Sequence, residues 1–136
     1  MDSWKCYISY ILMDSNIEDV AIVSLYDKCV WVANPGGLLT AISPQEVASI
    51  AGQDRNTLLL TGITVAGKRC CVIRDNLLVD EDNLMDVRSK HGDRRSICIG
   101  KTPRDLIFLM GKEGVQRGVL NQKVYDMVVG MTARSK

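Results

Sequence analysis

Apolar positions at the start of the chain follow a helical period. Trp4, Tyr7, Ile8, Ile11 and Leu12 recur at i, i+3, i+4, i+7 and i+8, which predicts one apolar stripe on a helix of about three turns. Asp2 or Ser3 stands where a cap belongs, and Asp14-Ser15-Asn16 breaks the pattern. The period then changes. Glu18–Tyr26 and Cys29–Ala33 read as strands joined by a short turn at Asp27-Lys28, and Asn34-Pro35-Gly36-Gly37 ends the second. Ser43-Pro44-Gln45-Glu46 predicts a helix start, with Ser43 as cap, Pro44 at the first helical position and Glu46 completing a capping box. That helix is expected to end near Gly52.

Strands are expected to dominate the second half. Leu58–Val65 and Arg69–Asp75 flank Ala66-Gly67-Lys68 as a hairpin, and Asn83–Lys90 and Arg95–Gly100 are shorter strands. Leu106–Met110 is apolar at every position, as a central strand covered on both faces would be. Gly111 and Gly114 bracket a turn, and a last helix runs from about Gln116 to Thr132 with Leu120, Val124, Met127, Val128 and Met131 along one face. Helices at the two ends around an antiparallel β-sheet give an α+β layout. With no internal repeat, linker or low-complexity stretch, residues 1–136 are expected to form a single domain.

Composition narrows the function classes. The chain has 136 residues, of which 46% are hydrophobic and 24% charged, with a formal net charge of +1. A global attraction to nucleic acid or membrane is therefore not implied, while a local basic patch stays open. No apolar run is long enough to span a bilayer, and the N-terminus lacks a basic leader and a small-residue cleavage pattern, so no secretory signal is expected. Five cysteines, Cys6, Cys29, Cys70, Cys71 and Cys98, fit reduced thiols and a cytoplasmic location. Cys70 and Cys71 alternate across a strand, so one is expected to face the core.

Tests for chemistry find little. His91 is the only histidine, in a hydrophilic Ser-Lys-His-Gly-Asp-Arg-Arg loop, and no Cys-x-x-Cys exists, so neither a metal site nor a cofactor is expected. Phosphate-loop, dinucleotide and Gly-x-Ser-x-Gly patterns are missing, and Asp80-Glu81-Asp82 lacks calcium-loop spacing. The chain is not expected to be an enzyme. Arg69, Arg74, Arg88, Lys90, Arg94 and Arg95 fall on successive strands or their ends, either as solubilising charge or as one patch for an anionic partner. Trp4 and Tyr7 stand one helical turn apart, and Trp31 lies on the second strand. They read either as core or as a shallow groove for a polyproline II segment, whose rings stack on flat aromatic faces.

Seven segments of the chain resemble vertebrate profilins, in order and spacing, apart from a small deletion near His91. They are Trp-x-x-Tyr-Ile (4–8), Asp-Val-Ala-Ile-Val (19–23), Val-Trp (30–31), Pro-Gly (35–36), Ile-Ser-Pro-Gln-Glu-Val (42–47), Cys-x-Val-Ile-Arg-Asp (70–75) and Leu-Met-Gly-Lys-Glu-Gly-Val (109–115). Cys70-Cys71 and the Gly-Gly-Leu-Leu of 36–39 look most like the divergent third vertebrate isoform. The resemblance implies that the N- and C-terminal helices pack together on one face of a central antiparallel sheet, with a short helix on the other. It also implies two opposed binding surfaces, on a monomer that acts in the cytoplasm and cytoskeleton without binding nucleic acid.

The first implied surface binds monomeric actin. Its matching positions are Leu59, Leu60, Arg69, Cys71, Val72, Arg74, Asp82 and Arg88, with Lys90, Val115, Gln116, Gly118, Asn121, Gln122, Tyr125 and Asp126. An apolar centre of Val72 and Tyr125 ringed by cations is expected there. Gln116 and Gln122 replace a histidine and a lysine of the family, and Arg117 stands where glycine is usual. The second surface is similar to the family's poly-proline groove and uses Trp4, Tyr7 and Trp31. Gly130 and Lys136 occupy the positions of two further family rings, so weak binding of proline-rich proteins is expected. Arg69, Arg88 and Lys90 match contributors to a phosphoinositide site. The alternative is a divergent member acting mainly as a phosphoinositide or partner-protein adaptor, with poor affinity for actin and poly-proline.

Overall fold

The structure is a computed structural model that describes residues 3–90, 92 and 94–134. Asp2, His91 and Lys136, singled out above, lie outside the described residues. Helix α1 (Ser3–Leu12) leads into β1 (Ile17–Ser24) and β2 (Val30–Ala33), followed by a 3-10 turn (Leu38–Ala41). Short helices α2 (Pro44–Ile50) and α3 (Arg55–Thr61) precede β3 (Ile63–Val65), β4 (Lys68–Asn76), β5 (Leu84–Ser89), β6 (Ser96–Lys101) and β7 (Asp105–Gly111). Helix α4 (Arg117–Arg134) closes the chain.

All seven strands form one antiparallel sheet in the order β2-β1-β7-β6-β5-β4-β3. The five later strands are a meander, and β1 then pairs with β7 in a register that sets Ile22 opposite Ile107. Period-2 alternation divides the apolar residues between two faces. Val20 and Ile22 of β1 and Ile107 and Leu109 of β7 join Ile8 and Ile11 of α1 and Leu120, Val124, Met127 and Met131 of α4 in one cluster. Ala21, Val23, Leu106, Phe108 and Met110 pack the other way, against Leu39, Val47, Ile50 and Leu58. The terminal helices thus share one face, as the resemblance implied. Lys123 of α4 ties them: it lies 3.2 Å from Asp14 and 5.9 Å from the centre of the Tyr10 ring.

Gly100 of β6 sets how closely α4 seats. A Cβ there would come 2.5 Å from Val124 Cγ1 and 2.7 Å from Val128 Cγ2, so any side chain would lift the helix. On the opposite face, the capping box of α2 is formed as expected, with Ser43 and Glu46 bonded reciprocally. Glu46 does more than cap. Its carboxylate also accepts from the backbone N–H groups of Ala66 and Gly67, holding the β3–β4 turn against α2.

One expectation fails. Leu58–Val65 is not a single strand: residues 55–61 form α3, and only Ile63–Val65 is extended. Asp54 caps α3 by accepting from Thr57 N–H, and Gly62, at φ +80°, supplies the reversal into β3. The strand that was anticipated at Leu106–Met110 lies inside the sheet between β1 and β6, covered on both faces.

Candidate functional site: an aromatic cleft and a basic sheet edge

The aromatic residues form a connected set. The Trp4 ring meets Tyr7 edge-on at 5.8 Å and Trp31 edge-on at 4.7 Å. Tyr7 reaches Trp4 from one helical turn away, while Trp31 comes from β2, the edge strand under α1. None of the three is sealed in the core: Trp4 and Tyr7 are half-buried and Trp31 is 42% exposed.

Trp31 is held by a bond from another part of the fold. Its Nε1 donates to Asp105 Oδ1 at 3.2 Å. Asp105 sits at the start of β7, in a turn organised by the buried Thr102, whose hydroxyl accepts from the N–H groups of Arg104 and Asp105. The neighbouring turn is laced to it, because Leu25 N–H donates to the Arg104 carbonyl at 2.8 Å. Burial pushes the Asp105 carboxyl above its ordinary value, against the opposing pull of bonds from Trp31 and Thr102 and of the Arg104 charge.

A cleft of about 810 Å3 opens beside these groups. Trp4, Trp31 and Met131 line one part of it, and Tyr26, Pro103, Arg104 and Asp105 another. Tyr7 does not line it, although it belongs to the expected groove. Tyr26, expected at the end of the first strand, lies instead in the turn after β1, and Arg104 lies in the bend before β7, where neither periodicity nor motif marks a site residue. Gly130, at a position where the family carries a ring, is exposed on α4.

The basic positions occupy a different part of the sheet. Helix α4 covers β5, β6 and β7, which leaves the same face of β4 open beside it. Cys71 pairs with Arg88 across β4 and β5, and both are exposed, as are Gly118, Gln122, Tyr125 and Asp126 on α4. Ile73, Arg88, Gln116, Arg117 and Gly118 line a cleft of about 430 Å3 between the sheet and the start of α4. Arg69 donates to the Thr61 carbonyl, and Lys90 lies near Gly62, so the end of α3, with exposed Leu59 and Leu60, adjoins these cations.

Three expected positions are placed differently. Val72 packs towards the α2–α3 side, and Ile73, 45% exposed, follows Cys71 to the open face by alternation, while the bulge between Val72 and Arg74 sets Arg74 opposite Asp86. Arg74 is largely neutralised: its Nε lies 3.0 Å from buried Asp86 and its Nη1 3.6 Å from Asp82. Asn121 turns inward and donates to Asp86 and to the Cys98 thiol. Val115 and Asp82 are half-buried at the margin.

The six cations do not form one patch. Arg95 pairs with Glu18 at 3.3 Å in a separate cleft that also contains Asn34 and Lys68. The reason is register: Arg95 precedes β6, near Ser89, and the cleft it lines opens over Val65, Ile97 and Met110 of the other face.

The thiols divide as alternation requires, with Cys70 buried and Cys71 exposed. Burial pushes the Cys70 thiol up to about 11 and the Cys98 thiol up to about 12, so neither is a ready nucleophile. Among the described residues no group of His, Cys, Asp or Glu could hold a metal ion, and no helix is long and apolar enough to cross a membrane.

Comparison with known proteins agrees with this architecture. The Profilin family profile matches residues 2–133. Profilin-3 of Rattus norvegicus is 55% identical over 132 residues, 96% of each chain. Profilin-3 of Homo sapiens is 52% identical over 132 residues, again 96% of each chain. Among solved structures, mouse profilin IIa in complex with a double repeat from the FH1 domain of mDia1 superposes with a TM-score of 0.94 at 37% identity, covering 99% of this chain and 100% of that one. Two terminal helices on one face of a seven-stranded antiparallel sheet, an open aromatic set under α1 and a match that spans almost every residue lead to one conclusion: this chain belongs to the profilin family, a family of non-enzymatic proteins.

Proposed function

We propose that this protein binds monomeric actin through the β4–β5–α4 surface and so regulates actin polymerisation, with a weakened groove for proline-rich proteins on the α1 side. The observation that carries the reading is the shared cleft in which exposed Ile73 and Arg88 of the sheet meet Gln116, Arg117 and Gly118 at the start of α4. An apolar middle with a cationic rim suits an acidic protein partner. Bound there, the protein would block one end of the monomer from joining a filament while leaving the other free.

Departures from the family pattern set the expected strength. Gln116 and Gln122 are neutral where the family carries cations, and Arg74 is occupied by Asp86. A rim charge contributes about 1 kcal/mol or less, roughly fivefold in affinity. Actin binding should therefore be retained and weakened. The groove keeps three rings of five. At about 1 kcal/mol per stacked ring, two missing rings correspond to roughly a 30-fold loss in affinity. The mouse homologue in complex with FH1 repeats supports a proline-rich ligand class for this face.

Arg69, Arg88 and Lys90 make a phosphoinositide site part of the same proposal, and their overlap with the actin surface would make lipid and actin compete. The neutral Gln116 and Gln122 favour a second reading, an adaptor for phosphoinositides or partner proteins with little actin affinity. Titration of the purified chain against monomeric actin decides: absence of a complex at about 100 µM, a very weak affinity, would overturn the first reading in favour of the second.

A further inference from the structure

The open cleft reaches beyond the three rings of the expected groove. Trp4, Trp31 and Met131 share its lining with Tyr26 and Arg104, which sit in two turns joined by the Leu25–Arg104 backbone bond. The geometry points to a proline-rich ligand that continues past Trp31 onto Tyr26, with Arg104 taking an acidic residue that flanks the proline run. This rests on the proline-rich reading above and adds its direction and charge preference.

Four observations carry it. Tyr26 is 94% exposed and lines the cleft, so its ring is open to a ligand there. At the α4 side Gly130 offers no ring, so the additional aromatic surface lies at the Tyr26 end. Proline residues present carbonyl acceptors and no N–H, so the site must supply donors. The Trp31 Nε1 is engaged by Asp105, whereas the exposed Arg104 guanidinium forms no salt bridge among the described residues. Finally, the walls are preformed. The Leu25–Arg104 backbone bond and the Thr102 hydroxyl fix the two turns relative to each other, so little ordering cost falls on binding.

Carboxylate recognition by Arg104 follows from the same placement. Asp105, the adjacent acid, accepts from Trp31 on Oδ1 and from the Thr102 hydroxyl at 3.5 Å on Oδ2. It feels the Arg104 charge but forms no salt bridge with it among the described residues, and Arg104 stays exposed along the same cleft. A surface pair of this kind changes affinity by up to roughly fivefold and weakens with salt.

The test is calorimetric titration of the full chain with three peptides: deca-proline, deca-proline flanked by aspartates, and deca-proline flanked by lysines. The aspartate peptide should bind about fivefold tighter than the lysine peptide at low salt. Arg104→Glu should reverse that order, and Tyr26→Ala should weaken all three peptides by about fivefold. Both side chains are exposed, so the variants should melt as the parent does. If both variants bind like the parent while Trp31→Ala abolishes binding, the extension is wrong and the groove reading survives. Failure of the parent to bind any of the peptides would overturn both.

Discussion

Trp31 and Asp105 come from opposite halves of the chain and meet through a 3.2 Å bond from the indole N–H to the carboxyl oxygen. The bond holds a ring that touches Trp4 of α1 and lines the same cleft. Replacing Asp105 with Ala should free the ring and weaken deca-proline binding by about threefold to tenfold, while Asp105→Asn, which keeps an accepting oxygen, should not. Tryptophan fluorescence during peptide titration reads the difference.

The same carboxyl gives a pH signature. Burial raises Asp105 above its ordinary value of 3.8, so the folded state binds its proton more tightly than the unfolded state does. Its contribution is then most favourable below 3.8 and declines as pH rises through the raised value. Denaturant midpoints of the Asp105→Asn variant should lack this decline.

Glu46 has the opposite sign. Burial pushes its carboxyl up, but the backbone N–H groups of Ser43, Gly67 and Ala66 outweigh that effect and hold it below 4.5. Its stabilisation is present above 4.5 and disappears as pH falls through the folded value. Glu46→Ala should cost about 2 kcal/mol at neutral pH, since the half-buried N–H groups of Ser43 and Ala66 lose a charged acceptor, while exposed Gly67 can turn to water. Urea unfolding at pH 7 measures the loss.

Arg74 and Arg88 lie on the same face and should behave differently. Arg88 is exposed and makes no salt bridge among the described residues, so Arg88→Ala should weaken actin binding about fivefold, flatten its salt dependence and leave the melting temperature unchanged. Arg74→Ala leaves Asp86 buried without a cation, with only the neutral Asn121 amide and Cys98 thiol beside it, and should cost about 2 kcal/mol of stability as well. Thermal melts beside actin titrations separate the two effects.

Gly100 predicts a packing defect that a second change repairs. Gly100→Ala drives a methyl into Val124 and Val128 and should destabilise by about 1–3 kcal/mol. Adding Val124→Ala should recover part of that loss, and a double-mutant cycle in urea gives the coupling.

Much of this architecture was legible because it rests on periodic apolar positions. The α1 and α4 stripes and the unbroken Leu106–Met110 run each have one physical solution, and the capping box at Ser43 marks its helix chemically. Leu58-Leu59-Leu60 was misread for a matching reason. A short apolar run followed by Thr61-Gly62-Ile63 fits a strand, and only the Asp54 cap, which bonds Thr57, signals the turn of helix. At the site, Trp4, Tyr7, Trp31 and Arg88 were identifiable from the family resemblance. Tyr26 and Arg104 were not, because two turns aim them and these are fixed by backbone bonds across the fold, whereas Ile73 shares the period-2 face of Cys71 and could have been read from alternation.

The pairing of β1 with β7 has a consequence for biosynthesis. Residues 17–24 cannot complete their ladder until residues 105–111 have left the ribosome, so the first third of the chain must wait with its apolar strand unmatched on that side. The indole of residue 4 and the arginine of residue 104 become neighbours of one cleft only after that late closure. If the cleft serves the proposed ligand, a nascent chain could not yet offer its full lining.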